Sequence, residues 1–162
     1  MRDLLDEIDA AAAARIYFLA LSGALTVPDI AGALGNESGE AVPSRYDAWV
    51  RANLPRWADD ADLLRQYRNA VLHQHRGALR PEKGRPRLIW IEPHAGERMH
   101  MVRSEDFLMI DVRSFCAEMT SAARAWMARE RANPIFKRNL AASFRRHPKG
   151  LERAIVGRPV IA

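Results

Sequence analysis

Cysteine occurs once, at Cys116, so the chain can build neither an internal disulfide nor a cysteine-rich zinc site. Nothing in its thiol content asks for an oxidising compartment. Lysine is almost as scarce. There are three Lys against 22 Arg, a bias that a GC-rich genome produces without any phosphate to bind. Long apolar runs are missing too. The longest uncharged stretch, Ile16–Pro28, has 13 residues, short of the ~20 that a membrane-crossing helix needs. The first residues carry Asp3, Asp6, Glu7 and Asp9, unlike the basic start of a signal peptide. A soluble, cytoplasmic protein is the expectation.

What is present is an ordinary globular composition. Of 162 residues, 48% are hydrophobic and 28% charged, with 9 Gly and 9 Pro, which excludes disorder and collagen-like repeats. The length suits a single domain over 1–162, and neither a repeat nor a linker interrupts it. Charge is unevenly spread. Residues 1–60 hold five basic and ten acidic side chains, and residues 61–162 hold twenty and ten. A basic half suits an anionic partner such as nucleic acid.

Apolar spacing predicts a mainly α chain. Leu5, Ile8, Ala12, Ile16 and Leu19 mark one face of a helix over about 3–25. Its second half is apolar all round, as in a core or a subunit contact. Thr26 to Asp29, with Pro28, should break it. Ser44 is placed to cap a helix over about 45–53. Asp59 and Asp60 open another over about 60–76, with Gly77 as its stop. Residues 77–86 read as loop. Arg87 to Glu92 has strand character, and a small inserted hairpin or sheet is expected over about 87–110. Asp111 should cap a long helix over 112–132. A basic tail follows over 135–162, with a further helix to Arg146. Trp49, Trp57, Trp90 and Trp126 fall at apolar positions or element ends and read as core.

The segment with chemical content is Arg68-Asn69-Ala70-Val71-Leu72-His73-Gln74-His75. Arg68 and His73, with Asn69 between them and His75 two residues on, combine a proton carrier active near neutral pH with a multivalent cation. RNA cleavage by its own 2′-hydroxyl needs these two things. Helical phase argues against it: Arg68 and His73 lie about 140° apart on an ideal helix, while Asn69 and His73 share a face. The plainer reading is that Arg68 and Asn69 serve a structural polar network and His73 favours the negative end of the helix dipole.

An arginine, a polar residue and a histidine so spaced resemble the signature of the HEPN superfamily. The strand Ile89 to Pro93 and the tail Ile155 to Val160 are similar to segments of small bacterial proteins of HEPN-like type. That resemblance implies a helical bundle, a metal-independent endoribonuclease or RNA-binding protein of a toxin–antitoxin or defence system, and a homodimer whose paired motifs face one cleft. It also implies a partner protein such as an antitoxin, and neither metal nor cofactor. Arg68, Asn69, His73 and His75 would be the site residues. A catalytically silent HEPN-like interaction module is the alternative.

The other candidates are Arg76, Lys137, Arg138, Arg145, Arg146 and Lys149, a basic set with Phe136 and Phe144 interleaved. It reads either as a nucleic-acid surface or as a solvated face. His94 and His100 flank a loop without ligand-like spacing and are expected to be solvated. Cys116 should be a buried structural thiol.

Overall fold

The computed structural model describes residues 1–77, 85–96, 98–151 and 154–162. Most of the loop expected over 77–86 therefore lies outside the described residues, as does Arg153. The architecture is mainly α. Helices α1 (Arg2–Ala13), α2 (Tyr17–Leu34), α3 (Pro43–Asn53) and α4 (Ala61–Gln74) come first, with a single 3-10 turn at Pro55–Trp57. Strands β1 (Arg87–Ile91), β2 (Val102–Arg103) and β3 (Phe107–Asp111) precede α5 (Val112–Glu130) and α6 (Pro134–Ala141).

The long first helix is in fact two. Arg15 takes a left-handed φ of 62°, and Ile16 N–H closes the turn on Ala11 O at 2.8 Å. The chain reverses there and the helical phase restarts. Ile16 and Leu19 therefore leave the face of Leu5 and Ile8 and stay exposed, while Tyr17, Ala20, Leu21, Ala24 and Leu25 turn inward. The hairpin closes tightly at Gly23, where a Cβ would stand 2.9 Å from Ile8 Cγ1.

The expected break at Pro28 is absent, because α2 runs through it. A proline removes one helical donor and crowds the preceding turn. Here neighbouring groups occupy carbonyls beside the gap. Thr26 Oγ1 donates to Gly23 O at 2.7 Å, and the buried Tyr46 hydroxyl donates to Leu25 O at 3.4 Å. By length and composition α2 could cross a membrane, but over half of it is buried inside the fold. It packs against α1, α3, α4, α5 and α6.

Ser44 caps nothing. Helix α3 starts two residues earlier than expected, with Pro43 in its first turn and Val42 extended before it, since a fixed φ is pre-organised for that position. Helix α4 ends two residues before Gly77, on a left-handed His75. Helix α5 begins where Asp111 indicates, its carboxylate accepting from Ser114 N–H at 2.7 Å.

The inserted sheet has the order β1-β3-β2. Strands β1 and β3 are parallel, Arg87 opposite Phe107 through Ile91 opposite Asp111, so these two do not form a hairpin. Only the short β2 is antiparallel to β3. Parallel neighbours need a crossover, and the 92–106 segment supplies it. Ion pairs Arg103–Asp60 and Arg85–Asp62 fasten this region to α4.

The helix expected to reach Arg146 stops at Ala141. The tail then forms two small antiparallel ribbons. Strand β4 (Arg146–His147) pairs with β7 (Val160–Ile161), and β5 (Gly150–Leu151) with β6 (Ile155–Val156). Gly150 is required in its ribbon. Its φ is +90°, and a Cβ would lie 1.9 Å from Ile155 O.

One core joins the layers. Trp57 stands edge-on to Phe115, and Trp90 packs on both Phe115 and Tyr67. Trp126 lies between Trp49 and Phe136. Cys116 is buried among them. Burial, with Asp9 and Asp111 nearby, pushes its thiol up to about 12, so it is inert at neutral pH.

Candidate functional site

Helix α4 presents its last two turns to α2 through a polar seam in an otherwise apolar contact. Arg68 reaches across to Asp29, and its Nη2 makes an ion pair with Asp29 Oδ2. Nη1 of the same guanidinium donates to Asn69 Oδ1 at 2.7 Å and meets His73 Nε2 at 3.3 Å. The awkward helical phase is thus overcome by the length of the arginine side chain. A guanidinium has donors only. His73 Nε2 must therefore accept, which leaves the ring proton on Nδ1. Asn69 steadies Arg68 through its carbonyl oxygen, and its amide NH₂ is left to donate elsewhere.

Asp29 is the member of this set that the sequence did not disclose. It could have been found only by carrying α2 through Pro28, which keeps the helix directed at α4. Arg68 and Asp29 side chains are 21% and 16% exposed, so the pair is mostly withdrawn from water. Burial raises the Asp29 carboxyl above its ordinary value, against the opposing pull of Arg68. Arg68 Nε is buried with no hydrogen-bond partner. One turn further back, Arg65 grips Asp47 of α3 with two bonds of 2.8 and 3.2 Å, which fixes the helix that carries the site.

His73 and His75 are exposed. His75 holds φ 51° and ψ 36°, an uncommon conformation for a residue with a side chain. Arg76 N–H donates to Ala70 O at 2.9 Å and completes the helix end. The His75 ring packs edge-on against Phe18, with centroids 5.6 Å apart. Phe18 belongs to an exposed apolar strip with Ile16 and Leu19, whose exposures are 56%, 49% and 62%. Arg68, Asn69 and His73 thus meet near one end of α4, while His75 packs on Phe18 of the uncovered apolar surface.

The basic set is not gathered in one place. Arg76 follows α4, Lys137 and Arg138 lie on α6, and Arg145, Arg146 and Lys149 lie in the tail ribbons. Arg138 is already engaged, donating to Glu37 O at 2.5 Å. Arg145 and Arg146 are exposed, and no carboxylate side chain pairs with either among the described residues.

His100 departs from its expected solvation. Its side chain is 7% exposed, and Nε2 lies 3.2 Å from Glu118 Oε1. Glu118 also accepts from Arg56 at 2.9 Å and from Trp57 Nε1 at 3.2 Å, so the crossover between β1 and β3 is latched to α5. Burial acts to raise the Glu118 carboxyl. The close approach of His100, the bond from Trp57 and the charge of Arg56 outweigh it and hold the group below its ordinary value. The folded chain then binds fewer protons here than the unfolded one. Its contribution is full above about pH 4.3 and drains as pH falls through the folded pKa. Glu118→Gln is expected to cost about 1–2 kcal/mol at pH 7. Urea titrations should show the gap closing toward pH 3, and a gap independent of pH would refute the assignment.

No protein-family model, curated protein or solved structure matches this chain.

Proposed function

We propose that the chain is a HEPN-like helical bundle acting as a metal-independent endoribonuclease or RNA-binding protein of a bacterial toxin–antitoxin or defence system, in the cytoplasm. The observation that carries this is the single guanidinium of Arg68 in contact with Asp29, Asn69 and His73 at once. In the cleavage step, Arg68 turns its donors to the scissile phosphate, which frees His73 Nε2 to take the 2′-hydroxyl proton. The O2′–P bond forms, the P–O5′ bond breaks, and a proton is delivered to the leaving oxygen from exposed His75 or from solvent. Asn69 holds the ribose or phosphate through its amide NH₂. Arg68 stabilises the charge that builds on the phosphorane oxygens.

The exposed strip Ile16, Phe18 and Leu19 supports a two-fold homodimer through the N-terminal end of α2. Because Phe18 touches His75, such a dimer draws both motifs toward one cleft, where a partner protein such as an antitoxin can reach them. Light scattering at micromolar concentration should give twice the chain mass, and a monomer counts against this arrangement.

One observation favours the alternative, a silent interaction module. Asp29 neutralises Arg68, and Arg68 occupies His73, as a purely structural helix-end network would. Incubation of single-stranded RNA with the protein in EDTA separates the two. Fragmentation that persists without metal supports the nuclease. An intact substrate that the protein also fails to bind, with the protein folded and dimeric, supports the module.

A further inference from the structure

A cleft of about 460 Å³ opens between the C-terminal end of α2, helix α3 and the end of α5, within the ~300–1,000 Å³ usual for small-molecule sites. None of Arg68, Asn69, His73 and His75 lines it, so what it holds is separate from the RNA reading. Small residues make the space. Ala31, Ala48 and Ala52 stand where longer side chains would fill it. Gly32 lets α3 close on α2, since a Cβ there would lie 3.2 Å from Arg45 Cβ. Trp49 and Trp126 supply the apolar wall, set edge-on with ring centroids 6.3 Å apart.

The donors in this lining are unspent. Trp49 is 6% exposed, and its Nε1 is buried with no hydrogen-bond partner among the described residues. Native folds seldom leave a buried donor unpaired without a reason. Arg45 and Arg129 also line the cleft. Elsewhere in the bundle Arg56, Arg65, Arg68 and Arg124 each face a carboxylate. These two do not. Arg45 donates to Gly35 O at 3.4 Å, and Arg129 donates to Asn53 Oδ1. Neutral acceptors thus hold both guanidiniums at the cleft without cancelling their charge. Glu130 is the acid in the lining, and it already accepts from Asn133 Nδ2 at 2.8 Å. Two cations and one anion leave a single positive charge for a ligand to balance.

We infer that this cleft binds a small monocarboxylate with a compact, planar apolar body. The carboxylate takes donors from Arg45 and Arg129, whose planar forks match its two oxygens, and the indole N–H of Trp49 is the third donor. The apolar body lies between the alanines and the two indoles. Net charge selects against amines. A dianion such as a phosphate monoester would leave one negative charge unbalanced beside Glu130.

The test is fluorine NMR titration of the full-length protein with para-fluorophenylacetate, a monoanion of this shape. Saturable binding with a Kd of about 1 mM or tighter is expected for so small a ligand. The neutral para-fluorophenylacetamide should bind about ten-fold more weakly, the usual worth of a hydrogen bond to a charged group. Arg45→Ala and Arg129→Ala should each weaken the carboxylate by about the same factor, and both side chains are exposed, so neither change strands a buried charge. Ala48→Phe fills the cleft from an exposed helix position and should abolish binding with the melting curve unchanged. In isotope-labelled protein the Trp49 indole resonance, assigned by its loss in Trp49→Phe, should move on saturation. No saturation at about ten times the expected Kd overturns the inference. Equal binding of the amide, or affinity unmoved by both arginine variants, overturns it too. An acetylated peptide acid ending in Phe that binds more tightly than the probe assigns the cleft to a chain terminus and also overturns it.

Discussion

Under the proposed nuclease chemistry, His73→Ala is expected to lower the rate of RNA cleavage in EDTA by roughly 10²–10⁴-fold, the usual worth of a positioned proton carrier. The ring is exposed, and its contact is the 3.3 Å approach of Arg68, so its removal leaves no buried group stranded and the melting curve should be nearly unchanged. His75→Ala is the internal comparison. His75 holds a left-handed helix end and touches Phe18, so its loss affects the dimer surface and the delivery of the second proton. It should cost less than His73→Ala. A larger loss at His75 would make the six-residue spacing the working one.

Arg68→Ala has two separable consequences. The rate should fall by a similar factor, because no other described side chain can turn a guanidinium from Asp29 to a phosphate. Stability should fall as well, which helical phase alone would not suggest. Removing Arg68 leaves Asp29 as an uncompensated carboxylate in a mostly buried position, at a cost of about 1–3 kcal/mol after allowance for its partial exposure. The pH dependence identifies the cause. Burial already raises the Asp29 carboxyl, and a raised carboxyl favours the folded state at low pH and loses that contribution as pH rises through its folded pKa. The deficit of Arg68→Ala relative to wild type should therefore be largest near neutrality and shrink as Asp29 is protonated. Adding Asp29→Asn should restore much of the stability but none of the rate. A deficit that ignores pH would show that the pair is not what stabilises this contact.

The residues differ in how far they disclose the fold. Helices α4 and α5, the strands β1 and β3 and the tryptophan core could be read from local signals, such as the Asp111 cap and the acidic start of α4. These signals act within one turn of the chain, so sequence carries them directly. Other features depend on distant groups. The turn at Arg15 is invisible in a stretch whose apolar spacing continues through it. Helix α2 runs through Pro28, and Tyr46, eighteen residues later, donates to a carbonyl beside the gap. The parallel pairing of β1 and β3 is a matter of topology, to which a period of two is blind. The same division holds at the site. Arg68, Asn69 and His73 are legible as a motif, but their contact depends on side-chain reach, and Asp29 enters only through the packing of α2 on α4. The burial of His100 likewise required Glu118 and Trp57 from other elements.

The measurement that bears most directly on the proposed chemistry is the end group of the RNA fragments. A 5′-labelled single strand is incubated with wild-type protein in EDTA, and the products are resolved by mass spectrometry. Attack by the substrate's own 2′-hydroxyl, with His73 taking the proton, requires upstream fragments ending in a 2′,3′-cyclic phosphate or its hydrolysed form, and downstream fragments beginning with a 5′-hydroxyl. Downstream fragments beginning with a 5′-phosphate, or cleavage undiminished in Arg68→Ala and His73→Ala, would contradict it.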